Sequence, residues 1–184
     1  MISYQTEHCH TAIREGYRSL LQSDTELLLP TSGYNRICDY YRRVRDACVK
    51  WAETAEGERL RRLYLETEDH TERARFRTAQ YRLRCEPVWG DDSHVSYVCR
   101  SRYWGDGQVR ERIMAQVWNV KEQTLLPMSQ ILRTFPTNAP KKRCPFRPDG
   151  IYVLENELVF YRNRDGDGSP IEFRVERKTE NELS

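Results

Sequence analysis

The fold is decided by Val95-Ser96-Tyr97-Val98-Cys99-Arg100-Ser101-Arg102-Tyr103-Trp104-Gly105-Asp106-Gly107-Gln108-Val109-Arg110-Glu111-Arg112-Ile113. On one side of Gly105-Asp106-Gly107, Val95, Tyr97, Cys99 and Tyr103 alternate with Ser96, Arg100 and Arg102. On the other, Val109, Glu111, Ile113, Ala115 and Val117 alternate with Arg110, Arg112, Met114, Gln116 and Trp118. Residues two apart share a face of an extended strand, and Asp-Gly tolerates the positive φ of a tight hairpin turn. Upstream, Tyr81, Leu83 and Cys85 alternate with Arg82, Arg84 and Glu86 in the same way. Three antiparallel strands are predicted, with an apolar face free to receive another layer.

Before these strands the period is helical. Tyr34, Ile37, Cys38, Tyr41, Val44, Cys48, Trp51 and Ala55 recur at steps of three and four, the stripe of an amphipathic helix. Glu58 to Ala74 continues the pattern with Leu60, Leu63 and Tyr64, and a kink or break is expected near Gly57. The stripe predicts burial of Tyr34, Ile37, Tyr41, Val44, Cys48 and Trp51 against Tyr81, Leu83, Tyr97, Cys99, Ile113 and Val117. Residues 1–32 are weakly patterned, with one short strand over Glu26 to Leu29 closed by Pro30. Beyond the meander, Pro127 to Leu132 forms a short helical turn. Residues 133–149 are a Pro-rich loop with the basic run Lys141-Lys142-Arg143. Three short strands follow, over 150–154, 157–162 and 170–177. The fold class is therefore α+β: a long helix, broken near Gly57, on an antiparallel meander sheet, with a C-terminal set of short strands. Residues 1–184 are expected to form a single domain, because the 35 residues after the loop are too few for a core of their own.

Composition narrows the function. Of 184 residues, 38% are hydrophobic and 32% charged, and no apolar run exceeds Leu27-Leu28-Leu29, so a membrane span is excluded. The net charge is only +2, with 30 basic residues against 28 acidic ones, which gives no global field for nucleic acid. The basic residues are nearly all arginine; only Lys50, Lys121, Lys141, Lys142 and Lys178 are lysines. Cys9, Cys38, Cys48, Cys85, Cys99 and Cys144 form no Cys-x-x-Cys and match no zinc spacing. The chain opens without a basic-then-apolar leader, so six reduced thiols in a cytoplasmic protein are expected. Cys38 and Cys48 stand about 15 Å apart along the helix, too far to be bridged. Cys85 and Cys99 can pair only if the register sets them directly opposite.

Catalytic signals are weak. Asn163-Arg164-Asp165-Gly166-Asp167-Gly168 imitates half a calcium loop, but Arg174 stands where a bidentate Glu is required, so a hairpin loop is the reading. His8 and His10 share a strand face without a third ligand. No phosphate loop, zinc helix or nucleophile elbow is present, and no acid, base and nucleophile converge. No enzyme activity, metal or cofactor is predicted. The arginines are more informative: Arg82 and Arg84, Arg100 and Arg102, and Arg110 and Arg112 lie two apart on three consecutive strands. Six guanidinium groups are expected to share one solvent face, with Trp104 and Trp118 close in parity, where charge and stacking favour anions. Neutralisation by Glu86, Glu111 and helix carboxylates is the competing reading.

The order of the pieces carries a resemblance. Leu29-Pro30 precedes the Tyr-rich helix, and His94-Val95-Ser96-Tyr97 opens a meander strand. Val117-Trp118-Asn119-Val120-Lys121-Glu122-Gln123-Thr124-Leu125-Leu126-Pro127-Met128-Ser129-Gln130-Ile131-Leu132 is a strand, a turn and a leucine helix. Phe146-Arg147-Pro148-Asp149-Gly150-Ile151-Tyr152-Val153-Leu154 then leads to Glu157-Leu158-Val159-Phe160-Tyr161. Over residues 25–177 this resembles the bacterial domain of unknown function that forms the ectodomain of RsiV-type, lysozyme-sensing anti-sigma factors and accompanies some peptidoglycan deacetylases. The resemblance implies a domain that usually sits outside the cell behind a signal or anchor; no recognition residue carries over from it. The function expected is a non-catalytic binding or sensing module for a protein or peptide partner. The alternative is a nucleic-acid-binding or phosphate-binding protein that uses the arginine face.

Overall fold

A long hairpin opens the chain where the sequence shows only one short strand. In the computed structural model, which describes residues 2–137, 144–166 and 168–178, β1 (Tyr4–Glu15) pairs antiparallel with β2 (Arg18–Pro30). The turn is made at Gly16, whose φ of 55° is open to glycine without strain. Along β2, Leu21, Ser23, Thr25, Leu27 and Leu29 all point inward and are buried. Ser23 and Thr25 occupy core positions, which hides the alternation from a hydrophobicity reading.

The helical stretch is one nearly continuous rod: α1 (Asn35–Trp51), a π-helical turn (Ala52–Gly57) and α2 (Glu58–Glu66), followed by a short α3 (His70–Arg75) capped by Asp69. The break expected near Gly57 is this π turn, which takes more residues per turn than an α-helix. It keeps Ala52, Glu56 and Leu60, four apart, on the buried side below Ile37 and Tyr41. Trp51 is correspondingly turned outward and keeps 42% of its surface, contrary to the burial expected of it. Tyr34, Val44 and Cys48 are half-buried against the core. Gly57 is fixed by proximity: a Cβ there would meet Ile13 Cδ1 of β1 at 2.1 Å.

The rod is a crossover. It carries the chain from β2 to β3 (Ala79–Gly90), which lies parallel to β2, Leu27 beside Cys85. Then β4 (His94–Gly105), β5 (Gln108–Asn119) and the two-residue β6 (Thr124–Leu125) continue antiparallel, giving a six-stranded sheet in sequence order. The predicted meander is therefore right, extended by a hairpin joined in parallel. After α4 (Met128–Thr134), β7 (Gly150–Val153), β8 (Glu157–Arg162) and β9 (Ile171–Glu176) form a separate three-stranded sheet. The basic run Lys141 to Arg143 lies outside the described residues, as does Asp167.

The large sheet is covered on both faces over part of its area. Under the helix, Tyr41 stacks on Tyr97 at 4.5 Å between ring centres, and the Trp118 indole donates to the Tyr41 hydroxyl at 3.0 Å. Satisfying such groups matters, because a buried polar atom left unpaired costs about 1–3 kcal/mol. On the opposite face, Val98, Ile113, Ala115 and Val117 pack against the small sheet. The Ala115 N–H donates to the Tyr161 hydroxyl at 3.0 Å, and the Val153 N–H to Ser96 Oγ at 2.9 Å. Ile113 and Val117 thus meet the small sheet and not the helix. Cys85 sits directly opposite Cys99 and is joined to it; Cys9, Cys38, Cys48 and Cys144 are free. The expectation of six free thiols is corrected by the register, which sets these two side chains on the same face of adjacent strands.

Candidate functional site

The small sheet covers Ser96 and Val98 of β4 and reaches Arg100 through Tyr152 and Glu172 at its edge, and the face beyond is open. Two cross-strand rows lie there, exposed except at Ile113, which the small sheet buries. One runs His10, Asp24, Arg82, Arg102, Glu111; the other runs His8, Glu26, Arg84, Arg100, Ile113. They floor a groove of about 790 Å³, walled by Pro170 before β9.

Four of the six arginines expected on one face are brought together: Arg82 opposite Arg102, and Arg84 opposite Arg100. Trp104 shares that face, with the guanidinium carbons of Arg82 and Arg102 at 5.0 Å and 5.7 Å from its ring. Arg110, Arg112 and Trp118 lie on the helix side. The cause is the two-residue turn Asp106-Gly107, which pairs Gly105 with Gln108, so even-numbered residues of β4 share a face with odd-numbered residues of β5. Arg110 is committed there to Glu56, whose other oxygen takes Arg59 Nε at 2.9 Å. Trp118 is core.

Like charges directly opposed on a sheet repel, and neighbours answer three of the four. Arg84 lies 3.0 Å from Glu86 and 3.6 Å from Glu26; Arg102 lies 3.3 Å from Glu111; Arg100 lies 3.4 Å from Glu172. Glu86 and Glu111 thus supply the neutralisation weighed above, joined by β2 and β9 carboxylates instead of helix ones. Burial works against the Arg100 charge, but the Tyr152 hydroxyl and Glu172 outweigh it and hold the guanidinium above its ordinary range. Burial likewise opposes the Glu172 charge, and Tyr152, Arg100 and Arg174 still bring its pKa below the usual value. Arg82 has no carboxylate at ion-pair distance among the described residues; its partner is the Trp104 face, while Asp24 beside it is taken by His10 Nδ1 at 2.6 Å.

Asp24, Glu26, Tyr152 and Glu172 belong to the site and escaped the sequence reading, which weighed His8 and His10 only as a metal pair without a third ligand. The signal for Asp24 and Glu26 was their alternation with Ser23, Thr25 and Leu27; β9 residues carry no sequence signal of adjacency to β4. Among the described residues no group of three or more His, Cys, Asp or Glu side chains is placed to hold a metal ion. Asn163, first residue of the calcium-like loop, spends its amide on Ile113, accepting from the N–H at 2.7 Å and donating to the carbonyl at 2.9 Å. Among the described residues no helix is long and apolar enough to cross a membrane.

No family sequence model matches the chain, and no curated protein does. Solved structures do. A member of the DUF3298 family from Bacteroides fragilis NCTC 9343 superposes with a TM-score of 0.60 at 8% identity, over 95% of this chain and 91% of that one. A DUF3298 family protein from Pseudomonas aeruginosa PAO1 gives 0.55 at 10% identity, with the same coverage. At these identities the likeness is one of fold, over nearly the whole length. The cytoplasmic placement is corrected on two counts: Cys85 and Cys99 are joined, and the fold is that of DUF3298 proteins, whose RsiV-type relatives are ectodomains outside the cytoplasm. The chain is structurally similar to DUF3298 family proteins over 95% of its length.

Proposed function

We propose that the chain works as one α+β domain and is a non-catalytic binding or sensing module whose arginine-lined groove takes an acidic segment of a protein partner. The observation that carries this reading is the pair of directly opposed arginines, Arg82 with Arg102 and Arg84 with Arg100, on a face open to solvent. Two carboxylates of an extended segment span an i to i+2 distance of about 6.8 Å, the spacing of arginines along one strand, and bidentate pairing then relieves the repulsion across strands. The flanks favour an acidic peptide over nucleic acid. Asp24 and Glu26 on one side and Glu111 on the other bracket the four arginines, so a continuous phosphate backbone would run over carboxylates as soon as it left the centre.

Calorimetric titration with a short Asp/Glu-rich peptide and with a single-stranded oligonucleotide of equal charge separates the readings. Peptide binding lost in Arg82→Gln/Arg102→Gln supports the proposal. Tighter oligonucleotide binding, weakening steeply between about 50 and 200 mM salt by counterion release, would replace it with the nucleic-acid reading.

A further inference from the structure

The second feature is on the other side of the sheet, under the tryptophan that the helical pattern expects to be buried. The rod lies along β2 and β3 and reaches the β4–β5 hairpin by side chains only, Arg59 meeting Asp106 at the turn at 2.9 Å and Glu56 meeting Arg110 at 2.7 Å. Between them is a pocket of about 360 Å³ lined by Ala47, Cys48 and Trp51 of α1, Tyr81, Ser101 and Tyr103 of β3 and β4, and two arginines of β5. Its walls are aromatic. The Trp51 and Tyr81 ring centres are 6.0 Å apart, and Tyr103 is held in place by Arg59 Nη2, which donates to its hydroxyl at 3.1 Å. The polar groups are few: the Tyr81 hydroxyl, the Cys48 thiol, the Ser101 hydroxyl and the guanidinium groups. Arg110 is tied to Glu56. Arg112, opposite Ser101 in the register, has no carboxylate at ion-pair distance among the described residues.

From this we infer that the pocket is a binding site for a small aromatic carboxylic acid, its ring packed against the Trp51–Tyr81 pair and its carboxylate on Arg112. Small-molecule sites run to roughly 300–1,000 Å³, mostly apolar with a few placed polar groups, and this pocket is at the low end. A flat ring suits the tilted Trp51–Tyr81 pair better than an aliphatic chain, because offset or tilted ring contacts add attraction beyond area burial. A carboxylate suits Arg112, whose planar fork matches two oxygens. The same site also accounts for the outward turn of Trp51, which leaves its indole as one wall. The groove is on the opposite face and reports through Trp104, so either proposal can fail without the other.

The test follows the indole N–H signals of Trp51, Trp89, Trp104 and Trp118 by NMR while benzoate, phenylacetate or the neutral benzamide is added. Benzoate or phenylacetate should move the Trp51 signal saturably and leave the core Trp118 signal in place. Benzamide should bind at least about tenfold more weakly, and Arg112→Gln should bring the acids down to that level, as loss of a charge-assisted pair implies. Ala47→Phe, which fills the pocket without removing a polar group, should abolish the shift. No movement of Trp51 up to about 10 mM acid, a range that admits very weak binding, overturns the site. Equal responses to acid and amide, or an unchanged response in Arg112→Gln, overturn the ligand class.

Discussion

Reducing the Cys85–Cys99 bridge should lower stability by a predictable amount. The two residues are separated by 14 in sequence, and the chain-entropy model gives about 3 kcal/mol at 25 °C for cross-linking a loop of that size in the unfolded state. For a chain of this length, 1 kcal/mol shifts Tm by roughly 2–4 °C, so reduction should lower Tm by about 6–12 °C. Both sulfurs are in the core beneath the helix, so the reductant must be present through unfolding and refolding, and the melt should be compared at equal protein concentration. Alkylation of the unreduced, denatured protein should leave two cysteines unmodified, with Cys9, Cys38, Cys48 and Cys144 labelled. An unchanged Tm after verified reduction would refute the energetic argument. Six labelled cysteines would remove the bridge and, with it, one of the two grounds for placing the domain outside a reducing compartment.

Three further outcomes follow from the packing. Glu56→Ala should cost about 2–3 kcal/mol in denaturant melts, below the 3–5 kcal/mol of a fully buried pair, because Arg59 and Arg110 keep 32% and 27% of their side-chain surface in water; a loss under about 0.5 kcal/mol would show the clamp to be ornamental. Gly57→Ala, which on helix propensity alone would stabilise by about 1 kcal/mol, should instead destabilise by about 1–2 kcal/mol through overpacking against Ile13, and Ile13→Val should recover part of that in the double variant. The Glu7 carboxyl is held below its ordinary value by its hydrogen bonds from Arg42, the closest at 2.5 Å, against an opposing burial effect. A depressed folded-state pKa gives stability that is present above the unfolded value and lost as pH falls through the folded one. Wild type should therefore lose more stability than Glu7→Gln between about pH 5 and pH 2, and parallel pH profiles would contradict the pairing.

What the sequence discloses depends on whether position and polarity agree. In β3 to β5 they do, and the strands, the Asp106-Gly107 turn and the last three strands were all legible. Residues 4–30 were not, because Ser23 and Thr25 stand at interior positions and β1 buries little. The face assignment of Arg110 and Arg112 was legible in principle: a two-residue turn fixes the parity between β4 and β5, and that parity puts Glu111, not Arg112, beside Arg102. Trp51 was misplaced for a different reason. It stands at the margin of the stripe: at 100° per residue Ala52 comes within about 20° of Tyr41 and takes the buried position, while Trp51 is set about 80° to the side. The acidic half of the groove depends on β2 and β9 lying near β3 and β4, and such long-range pairing is set by the packing of the whole sheet.

The parallel pairing of β2 with β3 also sets an order of events during synthesis. A hairpin such as β1–β2 forms in about 1–10 μs, yet the strand that completes its sheet begins only at Ala79, beyond the whole helical crossover. At a ribosomal rate of about 5–20 residues per second, Leu27 waits some seconds for Cys85 and the strand around it. Through that interval Leu20, Leu21, Leu27 and Leu29 have no sheet neighbour on the β3 side, and the helix that will cover them is still being made. Nascent chains stalled before Ala79 should then be cleaved readily by protease within β1 and β2, and chains stalled well beyond Gly105 should resist. The groove is subject to the same delay: Asp24 and Glu26 exist as charged residues long before the arginines they will border, so the acidic bank of the site is laid down first and its basic floor is fitted to it afterwards.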